Sequence, residues 1–195
     1  MEIQLRRQGL LLKSIGSENE TYLHAVVSAA AAMSRLGRLD EALALFMQGI
    51  EGLARVVGKK APVYLATVNN MCDCLGMMDR HGEALVWQTK CRDTQAIELG
   101  MAHPHYLGTI NNMAGSLTLL GRHTEAAQLT LDTLPHFEAV LGPKHPNYLI
   151  AFGRAAGRLV TVERFDEAIE LFRKCEACFE CNPSLDANIF YILVR

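Results

Sequence analysis

No charge of one sign dominates this chain: Lys plus Arg number 19 and Asp plus Glu 21, a formal net charge of −2. Nucleic-acid binding usually leaves a basic excess, so its absence argues against a nucleic-acid partner. Runs of like charge, the mark of disordered tails, are missing as well. So are long hydrophobic runs. No stretch approaches the roughly 18 apolar residues of a membrane span, and Leu10 to Leu12 is too short for the core of a signal peptide. These absences predict no membrane insertion and a cytoplasmic location. There is no phosphate-binding glycine loop, nucleophile elbow or zinc-protease helix motif. The chain is therefore expected to catalyse nothing and to need no cofactor.

What is present is periodicity. Half of the 195 residues are hydrophobic, enough for the core of one domain or one short solenoid. Tyr22, Tyr64, Tyr106 and Tyr148 stand 42 residues apart, and a leucine follows each. Gly16, Gly58, Gly100 and Gly142 keep that spacing, as do Ala42, Ala84, Ala126 and Ala168, and Pro62, Pro104 and Pro146. Several columns in register without slippage mark a repeat architecture.

Each unit predicts two helices. In the third, Pro104 opens the first helix, where its missing N–H costs nothing. Ile110, Met113, Ala114 and Leu117 form one apolar stripe at helical spacing. Gly121-Arg122-His123 makes the turn, with Thr124 as the expected N-cap. The second helix carries Ala126, Ala127, Leu129, Leu134 and Phe137 and ends at Gly142. The alanine after each turn suits a close crossing of antiparallel helices, which a larger side chain would overpack. The fold class is all-α, a right-handed α-α superhelix of antiparallel helix pairs. It is expected as a single domain over 1–195, with units at about 20–61, 62–103, 104–145 and 146–183 and partial units at 1–19 and 184–195. The partial units suggest self-association through terminal helices.

Six cysteines fall inside helical segments, which predicts reduced thiols. Cys175, Cys178 and Cys181 are three apart and, with one more ligand, have the donor chemistry of a zinc site. Packing beside Phe179 explains them more simply, and no metal is assigned. His103 and His145 are expected to pack in the loops before their prolines, and Trp87 to pack on a second helix.

Asn111-Asn112-Met113-Ala114, Gly121-Arg122-His123-Thr124-Glu125-Ala126 and Leu141-Gly142-Pro143-Lys144-His145-Pro146 resemble the tetratricopeptide repeat in the 42-residue version of kinesin light chains. Asn69-Asn70-Met71-Cys72, Glu83-Ala84, Leu99-Gly100 and His103-Pro104 carry the likeness in the second unit. The first and fourth units depart from it, with Val27-Ser28 and Gly153-Arg154 in place of paired asparagines.

The resemblance implies a scaffold or adaptor whose first helices line a concave groove. Its expected partner is a protein, bound through an extended peptide segment. The groove face would carry Ala66, Asn69, Asn70, Asp73 and Met77, then Gly108, Asn111, Asn112, Gly115 and Leu119, then Ile150, Gly153, Arg154, Gly157 and Thr161. Asparagine amides both donate to and accept from peptide backbone. Asn70 and Asn112 are the expected clamps, with Asn69 and Asn111 as support or as repeat framework. Asp73 lies on the same face, and Arg35 and Arg154 add pairing to an acidic ligand. A spacer that associates with itself, or a regulatory part of a larger motor or enzyme, is the alternative role.

Overall fold

A computed structural model describes residues 19–142 and 145–180. Most of the expected partial units, Cys181 and the terminal helices invoked for self-association lie outside the described residues. The chain divides into two compact units, Met1–Glu98 and Leu99–Arg195.

In the first unit, α1 (Glu20–Arg35), α2 (Leu39–Val56), α3 (Pro62–Met77) and α4 (His81–Glu98) follow one another, each packed on the next. In the second, α5 (Pro104–Leu119), α6 (His123–Leu141), α7 (Pro146–Thr161) and α8 (Phe165–Glu180) do the same. No strand occurs among the described residues.

Local chemistry sets the helix ends. Asn19 caps α1 by accepting from the Thr21 N–H at 2.8 Å. Prolines open α3, α5 and α7. The two histidines before Pro104 and Pro146 are caps: Nδ1 of His103 accepts from His105 N at 3.2 Å, and Nδ1 of His145 from Asn147 N at 3.1 Å. The turn inside each pair repeats one pattern. The N–H groups of Arg38, Arg80, Arg122 and Arg164 return to the carbonyls of Met33, Leu75, Leu117 and Leu159 at 2.9–3.0 Å. That geometry needs a left-handed residue just before the arginine. Gly37 and Gly121 supply it freely, whereas Asp79 and Glu163 adopt φ of 56° and 61° with a side chain in place.

The same arginines then fork onto the glutamate three residues on. Arg80 Nε meets Glu83 Oε1 at 2.6 Å, Arg122 meets Glu125 at 2.7 Å and Arg164 meets Glu167 at 2.6 Å, with Arg38 and Glu41 paired alike. This corrects the expected cap. Arg122 occupies the N-cap position, α6 starts at His123, and Thr124 falls inside the first turn. The register follows from the Arg122–Glu125 fork, which spans that turn.

The apolar columns become the core. In the first unit Val26, Met33, Phe46, Leu53, Met71 and Leu75 are buried. In the second Ile110, Met113, Leu117, Phe137, Leu149 and Leu159 are buried. Ala42, Ala84, Ala126 and Ala168 are 0–1% exposed, as a close crossing requires. Helix α2 comes closer still to α1: a Cβ on Gly52 would sit 2.3 Å from Leu23 Cδ2, and Leu23 is itself only 1% exposed.

Candidate peptide-binding face

In the second unit the first turns of α5 and α7 and the last turns of α6 leave a cavity of about 300 Å³. Leu107, Phe137, Leu141 and Ile150 line it with carbon, and Asn111 and Arg154 bring polar groups to it. Gly108 borders it, and a Cβ there would meet nothing within 4 Å, so the backbone of α5 is open to a ligand. The arrangement offers an apolar slot with one amide and one guanidinium. Such a slot fits a bulky side chain and fixes its backbone by hydrogen bonds.

The structure separates the seven candidate residues into distinct situations. Arg154 is exposed, without a carboxylate partner among the described residues. Asn111 is half-buried and makes no hydrogen bond among them. Asn112, one position on, interacts with another residue of the protein. In the first unit the order is reversed: Asn70 is exposed and unbonded among the described residues, while Asn69 is half-buried and engaged. Asp73 is solvent-reached and also engaged, and the protein around it desolvates its carboxyl enough to raise it above the usual range. Arg35 is exposed in the last turn of α1. Of the remaining face, Ala66, Met77, Leu119, Gly157 and Thr161 are exposed, whereas Gly153 is buried. Each unit thus presents candidate residues of its own.

Several residues escaped the sequence reading. Arg158, one turn beyond Arg154 on α7, buries Nη1 without a hydrogen-bond partner. Burial first, and then the charge of Arg154, push its guanidinium below the ordinary arginine range. Gln88 and Gln95 are 2% and 0% exposed, and neither amide of Gln95 nor the Gln88 oxygen finds a partner among the described residues. The signal for the glutamines was available: they stand in register with Phe46 and Leu53. For Arg158 the column gave none, because Cys74 and Ser116 precede it.

A second cavity, of about 280 Å³, opens in the first unit between α2 and α4, over α3. Ile50, Ala54, Val68 and Trp87 form its walls, with Lys59 and Lys90 beside them. Trp87 is therefore only partly a packing residue, and Lys90 Nζ lies 5.3 Å from the centre of its ring.

Cys72, Cys74, Cys91 and Cys175 are buried and form no disulfide. Burial, with the neighbouring Cys91, pushes the Cys72 thiol up to about 12, so it stays protonated and poorly nucleophilic. Cys175 points its sulfur at the Leu149 carbonyl, 4.0 Å away. The side chain of Cys178, like Cys181, lies outside the described residues. Among those described, no three His, Cys, Asp or Glu side chains stand where they could hold one metal ion. No helix among them is long and apolar enough to cross a membrane.

The geometry has close counterparts. The tetratricopeptide repeat family model matches residues 106–180. Nearly identical TPR-like repeats assigned to a kinesin light chain of Podosopora anserina superpose with a TM-score of 0.83 at 22% identity, covering 94% of this chain and 87% of that one. A single-substitution variant of the same protein gives 0.81 at 22% identity, over 91% and 84% of the two chains. BtubC (BKLC) from P. vanneervenii gives 0.74 at 12% identity, over 85% and 66%. No curated protein matches the chain. The all-α class of antiparallel helix pairs, expected from the 42-residue columns, is the fold of these structures. Residues 106–180 thus match the tetratricopeptide repeat family model, and the fold of the chain is similar to that of kinesin light chain TPR-like repeats.

Proposed function

We propose that this chain is a non-catalytic scaffold, a single repeat domain that binds an extended peptide segment of a partner protein along the face of its first helices. The repeat family supports the general part of this reading, because such repeats serve protein–protein interaction. The observation that carries the finer part is the cavity between α5 and α7. It joins an apolar slot to Asn111 and Arg154, whose polar groups have no hydrogen-bond or carboxylate partner among the described residues. Polar groups presented beside an apolar slot are what a peptide needs to fix its register. Asn112 lies on the same helix as Asn111 in the second unit, and Arg35, Asn69, Asn70 and Asp73 lie on the first helices of the pairs in the first unit. A cytoplasmic setting accords with the absence of disulfides at Cys72, Cys74, Cys91 and Cys175.

The test is selection of binding peptides from a displayed random library by the whole chain, followed by affinity measurement on Asn111→Ala, Arg154→Ala and the pair. Selected peptides should weaken by about tenfold with Arg154→Ala, the worth of a charged hydrogen bond. The variants should retain the helical circular dichroism of the parent. Peptides that bind the double variant as tightly as the parent would move the site off this cavity.

A further inference from the structure

Arg154 and Arg158 are four apart on α7, so they share a face and lie one turn from each other. Neither has a carboxylate partner among the described residues. Arg38, Arg80, Arg122 and Arg164 are each forked onto a glutamate, and Arg92 meets Asp93 at 2.6 Å. Arg35, Arg55 and Arg173 also lack a carboxylate partner among the described residues, but none of them has a buried guanidinium nitrogen left unbonded. Arg158 is also the more buried of the two, with Nη1 closed off from solvent and unbonded. Like charges at this spacing repel, and a buried donor without an acceptor costs its lost hydration. In the free protein this pair is therefore unfavourable. An anion held at the solvent-facing side of both groups removes the repulsion between them.

The repeat shows that the pair is particular to one place. Position 154 is in register with Asn70 and Asn112, and position 158 with Cys74 and Ser116. Only the fourth unit sets two guanidinium groups on this face. A single carboxylate neutralises one of them. A phosphate monoester carries nearly two charges and three acceptor oxygens, and it matches two arginine forks in geometry as well as charge. Arg154 also lines the apolar cavity, so the anion would sit beside a slot for a neighbouring side chain.

We propose that the bound peptide is a phosphorylated one, whose phosphoserine or phosphothreonine is held between Arg154 and Arg158 while an adjacent bulky side chain fills the cavity. This rests on the peptide-binding reading above. It makes the chain a reader of its partner's phosphorylation state.

The experiment uses the whole chain and three degenerate peptide libraries that differ only in a fixed central phosphoserine, glutamate or serine, compared by fluorescence anisotropy. The phosphoserine library should bind about tenfold or more tightly than the serine library, and glutamate should recover little of that gain. Arg158→Gln should abolish the gain and leave the serine library unchanged. Arg158→Lys should keep part of it, as a point charge without the fork. Arg158→Gln should also melt no lower than the parent, since it removes an unpaired charge; a clear loss of stability would instead assign the guanidinium a structural role and overturn the proposal. Equal binding of the phosphoserine and glutamate libraries, or a gain that survives Arg158→Gln, would overturn it too. So would an Arg158-dependent preference for single-stranded RNA or for phosphoinositide vesicles over every peptide library. Binding of the serine library with no phosphate gain removes this proposal and leaves the peptide face standing. Failure of all three libraries removes both.

Discussion

At the scale of single residues, departures from a repeat column are the most informative positions. Gln95 occupies a place that Leu53 and Phe137 fill with apolar side chains, and it is fully buried with both amide atoms unbonded among the described residues. Burying an unmatched amide costs about 1–3 kcal/mol. Gln95→Leu is therefore expected to stabilise the protein by roughly that amount, read as a rise in the urea midpoint with an unchanged slope. A lower midpoint would mean the amide has a partner after all. The column itself flagged this residue. The asparagine pairs were harder to read. Sequence placed all four on one helix face, yet Asn69 and Asn112 interact within the protein and Asn70 and Asn111 make no hydrogen bond among the described residues. Which amide of a pair is engaged depends on the packing around it, which the sequence of one helix does not specify.

At the scale of the element, the turn and the helix crossing set the tolerances. Glu163 holds a left-handed backbone that Gly121 adopts without strain at the same point of the preceding unit. Glu163→Gly is expected to stabilise by about 1 kcal/mol, the order of the penalty a Cβ imposes there, and thermal melting will show it. An unchanged or lower melting temperature would count against strain at that turn. The α1–α2 crossing behaves oppositely. A Cβ on Gly52 runs into Leu23, which is buried and cannot swing away. Gly52→Ala should cost about 1–3 kcal/mol through overpacking, despite alanine's better helix propensity. A stabilised variant would show that α2 can shift outward freely. The paired glycines of α2 were visible in the sequence, but their role was not, because no other second helix carries them in register. Pro135 inside α6 is a similar case. It removes a backbone donor, and the Thr133 hydroxyl bonds the Thr130 carbonyl nearby at 2.8 Å.

At the scale of the whole molecule, the repeated arginine–glutamate forks give stability a common pH dependence. Hydrogen bonds from Arg38, Arg80, Arg122 and Arg164 hold the carboxyls of Glu41, Glu83, Glu125 and Glu167 below the ordinary glutamate value of 4.5. A folded value below the unfolded one means the contribution is complete above 4.5 and fades as pH falls below it. All four pairs are solvent-exposed, so salt weakens them and each is individually small. The melting temperature of a variant with all four changed to glutamine should lie below the parent near neutrality, and the gap should close as pH drops below 4.5 or as salt rises. A gap that stays constant with pH would assign the loss to packing instead. Asp73, whose carboxyl is raised by burial, contributes with the opposite sign.

The sequence by itself determined the 42-residue period, the helix starts at the prolines, the turns before the repeated alanines and the apolar columns of the core. All of these rest on short-range effects: a missing N–H, a left-handed residue, a side chain recurring on one face. Tertiary structure alone decided where the face opens into a cavity, which amides are engaged, and that Arg158 is half-buried near Arg154 without a counter-charge among the described residues. A cavity is the difference between volumes supplied by three helices, and a charge is unpaired only with respect to everything around it. Both are properties of the packed assembly of helices, and a linear pattern does not contain them.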